Sequence, residues 1–469
     1  MTWRWAARST MCLAAAAALT CGPATAPAAA VEPPAVPPGP PPAGPVAPPD
    51  PTEQKTVCAV PGVRPGTDFT IAPVAAQMLR YQDAWAYSRG AGQKIAVIDT
   101  GVNRNARLPA LEPGGDYVSG TDGLSDCDAH GTLVAGILAA QPSPDDAFAG
   151  VAPDAAILSI RQNSLSFAVK GGSAQWDPNA VSSGAGPAGY GSTRTLALAV
   201  VRAVDLGATV LNLSELACAP VSVGIDDAEL GRAVRYAFER NVVVVAAAGN
   251  VDERGACRVQ NVSADPNLPA ETAWSTVQTL ASPAWFDDYV LTVGALSPHG
   301  EPSDFSLRGP WVDVAAPGEH AVSLSPDGVG LVNGIQGQQG LAPVNGTSYA
   351  APYVAGLAAL VRARFPELTA AQVMERIERT ARTPESGPNI ATGHGAIDPV
   401  AALTATLPGE PAARGAGTPI APPPAPDPAS TAARDTAFAV AGACVAAMVF
   451  GGAMTAAYRR RNTLPRNES

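Results

Sequence analysis

Three residues of this 469-residue chain have types and settings suited to acyl transfer. Ser348 lies in Asn345-Gly346-Thr347-Ser348-Tyr349-Ala350-Ala351-Pro352, a turn that runs into an apolar stretch at 353–361. That pattern predicts a helix starting at the serine. Thr347 or Ser348 takes the cap position. Pro352 falls in the first turn, where a missing N–H removes no helical bond. A helix N-terminus favours negative charge and offers unpaired N–H groups to an oxyanion. His130 opens His130-Gly131-Thr132-Leu133-Val134-Ala135-Gly136, at the head of another predicted helix. Its imidazole can take a serine proton and later protonate a leaving amine. Asp99 ends Ala96-Val97-Ile98-Asp99 and is followed by Thr100-Gly101. Ligand sites gather at the carboxyl ends of parallel strands. Asn250 ends a similar run, Ala246-Ala247-Ala248-Gly249-Asn250. Singly, each has an ordinary alternative: a helix cap, a structural histidine, a turn-opening aspartate, Asn–Gly turn chemistry. Together, in the order Asp99, His130, Ser348 and in three distinct motifs, they read as base-orienting carboxylate, base and nucleophile.

The elements that must carry these groups alternate. Strands are predicted at 95–98, 156–160, 209–213, 242–247, 289–295 and 311–314. Helices are predicted at 133–140, 195–206, 227–240, after Ser348 and at 369–382, with a short amphipathic one at 77–87. Near-continuous apolar strands alternating with helices specify an α/β fold with a mainly parallel sheet covered on both faces. The stretches 161–192 and 261–287 break the rhythm as long loops rich in Gly, Ser, Pro and Asn. Long loops in compact domains often carry function.

Around this globular part, 94–403, the chain is divided by composition. Residues 1–30 have a basic start, a short apolar run and small-residue cleavage sites, the pattern of a secretory signal peptide. Residues 31–93 form an extension whose first part is Pro-rich and cannot bury a core. A Pro/Ala-rich linker follows at 404–436. Residues 437–457 carry no charge and are long enough to cross a membrane. Arg459, Arg460 and Arg461 lie in the tail, 458–469, and the positive-inside rule places that tail in the cytoplasm. The chain is thus expected to be exported and held at the cell membrane as a single-pass protein, its globular part outside. With 41 acidic and 30 basic residues the net charge is −11, and no basic stripe appears outside the termini. Nucleic acid is not an expected partner.

Of seven cysteines, Cys12 and Cys21 leave with the signal and Cys444 lies in the apolar segment. Cys58, Cys127, Cys218 and Cys257 remain in an oxidising compartment, which favours disulfides over metal binding. Cys218 and Cys257 each follow the end of a predicted strand, and those strands are consecutive. Consecutive parallel strands are usually neighbours, which pairs Cys218 with Cys257 and leaves Cys58 with Cys127.

Asp99-Thr100-Gly101, His130-Gly131-Thr132 and Gly346-Thr347-Ser348-Tyr349-Ala350-Ala351-Pro352 resemble the three signatures of the subtilisin-like (S8, subtilase) serine proteases. The resemblance covers 94–403. It implies a subtilisin-like fold and endopeptidase activity. It also makes Asn250 the oxyanion asparagine, and Leu213, Ser214 and Glu215 the strand along which substrate extends. Ala247, Ala248 and Gly249 would wall the pocket for the residue before the cut. Glu215 is read as a solvated carboxylate near that cleft. The signal, extension, four cysteines, terminal apolar segment and Thr279-Leu280-Ala281-Ser282-Pro283-Ala284-Trp285-Phe286-Asp287 narrow the resemblance to the mycosins of mycobacterial type VII secretion systems. That resemblance implies protein substrates, partners in a secretion membrane complex, and an extension wrapped round the domain. No calcium loop of the Asp-x-Asp-x-Asp-Gly kind occurs in the sequence, and no metal or cofactor is expected. Two function classes follow. One is a processing endopeptidase acting on exported proteins. The other is a structural component of a secretion complex for which proteolysis is dispensable.

Overall fold

The computed structural model describes residues 31–172, 179–181, 189–252, 255, 257–262, 270–337, 340–411 and 432–462. The predicted signal, most of the predicted linker and the end of the tail lie outside those residues. Parts of the two long loops do so too. The chain divides into two units after Arg414.

The first unit is built on seven parallel strands: β1 Lys94–Asp99, β2 Leu111–Asp116, β3 Ala156–Arg161, β4 Val210–Leu213, β5 Val243–Ala247, β6 Val290–Leu296 and β7 Val314–Pro317. Their spatial order is β7-β6-β5-β4-β1-β3-β2. Apart from the edge strand β2, the strand sequences are largely apolar because both faces are covered. Along β1, Ile95 and Val97 enter one core while Ala96 and Ile98 enter the other. The first core holds helices α1 His130–Ala139, α4 Thr347–Arg364 and α5 Ala370–Thr380. The second holds α2 Thr193–Asp205 and α3 Ala228–Glu239. All ten residues of α1 are buried, which explains why it is apolar all round. The outward-facing α2 and α3 are amphipathic instead. Capping boxes start two helices, Ser192 with Thr195 on α2 and Thr369 with Gln372 on α5.

Three elements differ from the sequence expectations. β2 was not foreseen, because Leu-Glu-Pro-Gly-Gly-Asp carries strand-breaking residues. It lies at the sheet edge, where a proline is tolerated, and its register shifts between Pro113 and Gly115. The predicted strand at 311–314 begins later, at Val314, since Val312 closes a turn onto the Gly309 carbonyl. The helix expected at 77–87 is divided into Val74–Leu79 and a 3₁₀ turn, Asp83–Ala86. Arg80, with φ of 51°, ends the first piece.

The N-terminal extension is strapped to the domain. Thr52–Gln54 pairs antiparallel with Phe167–Val169, inside the first long loop. Pro61–Gly62 adds to the hairpin Gly334–Gly337 and Gly340–Pro343. Disulfides join Cys58 to Cys127 and Cys218 to Cys257. β4 and β5, which precede Cys218 and Cys257, are hydrogen-bonded neighbours.

The second unit contains a 31-residue helix, α6 Ala432–Asn462. Within it Thr436–Arg460 has a mean hydropathy of 2.0 over its most apolar window, long and apolar enough to cross a membrane.

Candidate active site

The chain builds outward from β1 in both directions, with β3 on one side and β4 on the other. Such a reversal point opens a crevice at the strand ends. Asp99 is the last residue of β1 and is fully buried. Its Oδ1 accepts from the Thr100 N–H at 2.7 Å. Gly101, with φ of 102°, turns the chain away, and a Cβ there would strike the Ser125 carbonyl oxygen.

His130 is the first residue of α1. The helix head is drawn onto the end of β1 by Asp126, whose carboxylate accepts from Thr100 Oγ1 and from the Thr132 N–H and Oγ1 at 2.6–2.9 Å. Gly131 permits that approach, for any side chain would collide with the Gly101 carbonyl. Ala129, directly before the histidine, is left-handed with φ of 65°. Backbone strain of this kind concentrates at functional sites. The result is a line of hydrogen bonds. The Ser348 hydroxyl lies 2.9 Å from His130 Nε2, and Nδ1 lies 2.8 Å from Asp99 Oδ1.

Ser348 is placed by the head of α4, where two expectations need correction. The helix begins at Thr347 with Gly346 as its cap, so no side chain caps it. Pro352 is therefore the sixth helical residue, beyond the first turn. Its missing N–H leaves the Ser348 carbonyl without its helical donor. Ser214 Oγ donates to that carbonyl at 2.9 Å, and Asn212 Nδ2 donates to Ser214 Oγ at 2.7 Å. The segment after β4 is thus tied to the serine through a proline-made gap in the helix ladder.

Asn250 lies just past β5. Its Oδ1 accepts from the Thr347 N–H at 2.9 Å and from Thr347 Oγ1 at 3.0 Å, which fixes the orientation of the amide. Asn250 Nδ2 and Ser348 Oγ both face the space beside Gly346. A Cβ on Gly346 would lie 3.5 Å from the first and 2.9 Å from the second. The glycine keeps that space open.

Leu213 and Ala247, at the ends of β4 and β5, are buried, as are Ser214 and Ala248. Gly249 has φ of 110°, donates its N–H to Thr347 Oγ1 at 3.1 Å and packs against Cys257. Glu215 departs from its expected setting. It is buried, not solvated, and its Oε1 lies 3.3 Å from His130 Nδ1. Nδ1 and one oxygen each of Asp99 and Glu215 lie within 4.8 Å of one another, and Nδ1 is hydrogen-bonded to Asp99. Burial works against a charged ring at His130, but Asp99 and Glu215 outweigh it and push its pKa up to about 9. Burial pushes Glu215 up to about 8, opposed by the imidazole. Burial likewise raises Asp126 to about 6.

A seryl hydroxyl, an imidazole and a carboxylate joined in line at the carboxyl ends of parallel strands form an arrangement suited to serine peptidase chemistry. Residues 90–395 match the family model described as the subtilase family, Peptidase_S8. Mycosin-1 of Mycolicibacterium smegmatis is 47% identical over 88% of this chain and 91% of its own length. A solved structure titled as a serine protease MycP1, an essential component of the type VII (ESX-1) secretion system, is 49% identical. It aligns with a TM-score of 0.73 over 80% of this chain and all of its own. A chain of an intact ESX-5 inner membrane complex aligns with a TM-score of 0.72 at 41% identity, covering 92% of this chain and all of that one. The chain belongs to the subtilase family of serine proteases and, within it, to the mycosins.

Proposed function

We propose that this chain is a membrane-anchored serine endopeptidase that cleaves exported proteins and forms part of a type VII secretion complex. The observation that carries the enzymatic reading is the unbroken line from Ser348 Oγ through His130 to Asp99. In this reading Ser348 Oγ attacks the scissile carbonyl while its proton passes to His130 Nε2. His130 then protonates the leaving amine. Asp99 accepts the Nδ1–H bond, holds the tautomer and stabilises the imidazolium. The Asn250 amide and the Ser348 N–H receive the oxyanion beside Gly346. Substrate adds as an extended strand along Leu213, Ser214 and Glu215, and Ala247, Ala248 and Gly249 border its pocket.

α6 supplies the anchor, and Arg459 to Arg461 favour a cytoplasmic C-terminus. The likeness to a chain within an ESX-5 inner membrane complex supports membership of a secretion assembly. The same likeness favours a second reading, in which the protein chiefly stabilises that assembly and its proteolysis is dispensable.

Fluorophosphonate labelling of the full-length protein in detergent tests the enzymatic reading. Labelled peptide should map to Ser348, and Ser348→Ala should remove the label. Label that persists in the variant would refute the assignment.

A further inference from the structure

We propose that Glu215 is a second carboxylate partner of the His130 Nδ1 edge, a positioning residue that holds the imidazolium and so delays the appearance of the catalytic base as pH rises. The inference rests on the triad reading above and adds a fourth participant to it.

The geometry starts with burial. Glu215 is 1% exposed, and its Oε1 lies 3.3 Å from Nδ1, while Asp99 Oδ1 lies 2.8 Å from the same nitrogen. Neither Glu215 oxygen makes a well-formed hydrogen bond, although the Asn163 side chain lies beside them. A buried carboxylate whose hydrogen-bonding neighbour is one amide side chain, Asn163, is disfavoured unless a cation stands next to it. The groups facing the imidazole come from four sides: Asp99 from the end of β1, Asp126 from the loop before α1, Glu215 from the segment after β4, and Tyr349 from α4, its ring centroid 5.1 Å away. Asp128 acts on Glu215 from the same loop as Asp126. The charged groups among them are all acidic, and Tyr349 is held neutral by burial and by the same carboxylates. The imidazolium is therefore the cation that compensates this pocket. When it loses its proton, Asp99 and Glu215 are left as like charges in a desolvated space. The proton is accordingly lost late, consistent with the elevation of both His130 and Glu215.

Attack by Ser348 needs a neutral imidazole to accept its proton. Below the pH at which that proton leaves, the line of residues is assembled but its base is occupied. A glutamine at 215 keeps the volume and removes the charge, so the base should appear at lower pH.

The test is the rate of fluorophosphonate labelling at Ser348 against pH, measured on the full-length protein in detergent. Wild type should show an acid limb with its midpoint near 9. Glu215→Gln should move that midpoint down by about 1–3 pH units, the range for removal of one adjacent charge. Glu215→Asp should retain part of the elevation. Between about pH 8, where Glu215 ionises, and the wild-type midpoint, the variant should label faster than wild type, and the two rates should converge at lower pH, where Glu215 is itself protonated. A wild-type midpoint in the ordinary histidine range, about 6.5, overturns the proposal without any variant. So does a limb that stays in place in Glu215→Gln. The pH titration of the downfield Nδ1 proton of wild type gives the same answer should the variants fail to fold. Absence of labelling at every pH would instead refute the triad reading itself.

Discussion

At the residue scale, the serine is placed by what its helix lacks. Pro352 cannot donate to the Ser348 carbonyl, and Ser214 fills the gap from across the crevice. Ser214→Ala should leave a buried carbonyl without a donor and cost about 1–3 kcal/mol of stability. Adding Pro352→Ala restores a backbone donor to the same carbonyl and should recover part of that loss. Denaturant unfolding of the two single variants and the double variant measures the coupling. Strict additivity would show that the proline and Ser214 do not act on one acceptor. The residues of the candidate triad, which the structure brings together, were legible in the sequence because each sits in a motif whose neighbours have mechanical tasks. Gly131 and Gly101 allow close backbone approach, and Thr132 anchors Asp126. Glu215 was legible as a residue of the substrate strand but not as a buried one. A carboxylate beside an apolar strand is usually solvated. Only the approach of α1 to the end of β4 reveals the pairing with His130.

At the scale of elements, the central strands could be read directly. Runs such as Val-Val-Val-Ala-Ala in β5 have no polar face because helices cover both sides. Edge elements escaped for the complementary reason. β2 and Thr52–Gln54 have few apolar residues and owe their place to neighbouring strands, and Phe167–Val169, though apolar, is only three residues long. The long loop at 161–192 is in part such an element, since it receives a strand from the extension. α6 was legible from length and lack of charge, though the helix extends past both ends of the predicted 437–457. Its orientation can be checked on intact spheroplasts. External protease should cut within the linker and release the globular unit, leaving the Arg459–Arg461 end protected. Protection of the linker with exposure of the tail would reverse the proposed topology.

At the scale of the whole molecule, the proposed reading joins a protease domain to a membrane helix through the linker predicted at 404–436. A tethered enzyme meets chiefly the proteins that emerge beside it, so loose sequence selectivity would suffice. The extension is held by two strand pairings and by Cys58–Cys127, and the Cys218–Cys257 bridge lies buried in the core; both crosslinks suit an oxidising compartment. The most direct measurement compares the proteins exported by cells carrying wild type, Ser348→Ala or a deletion of the gene. Ser348→Ala should release at least one exported protein in uncleaved form, while deletion should stop its export. If every exported protein keeps its wild-type length in the Ser348→Ala strain, a processing protease within a secretion complex is contradicted.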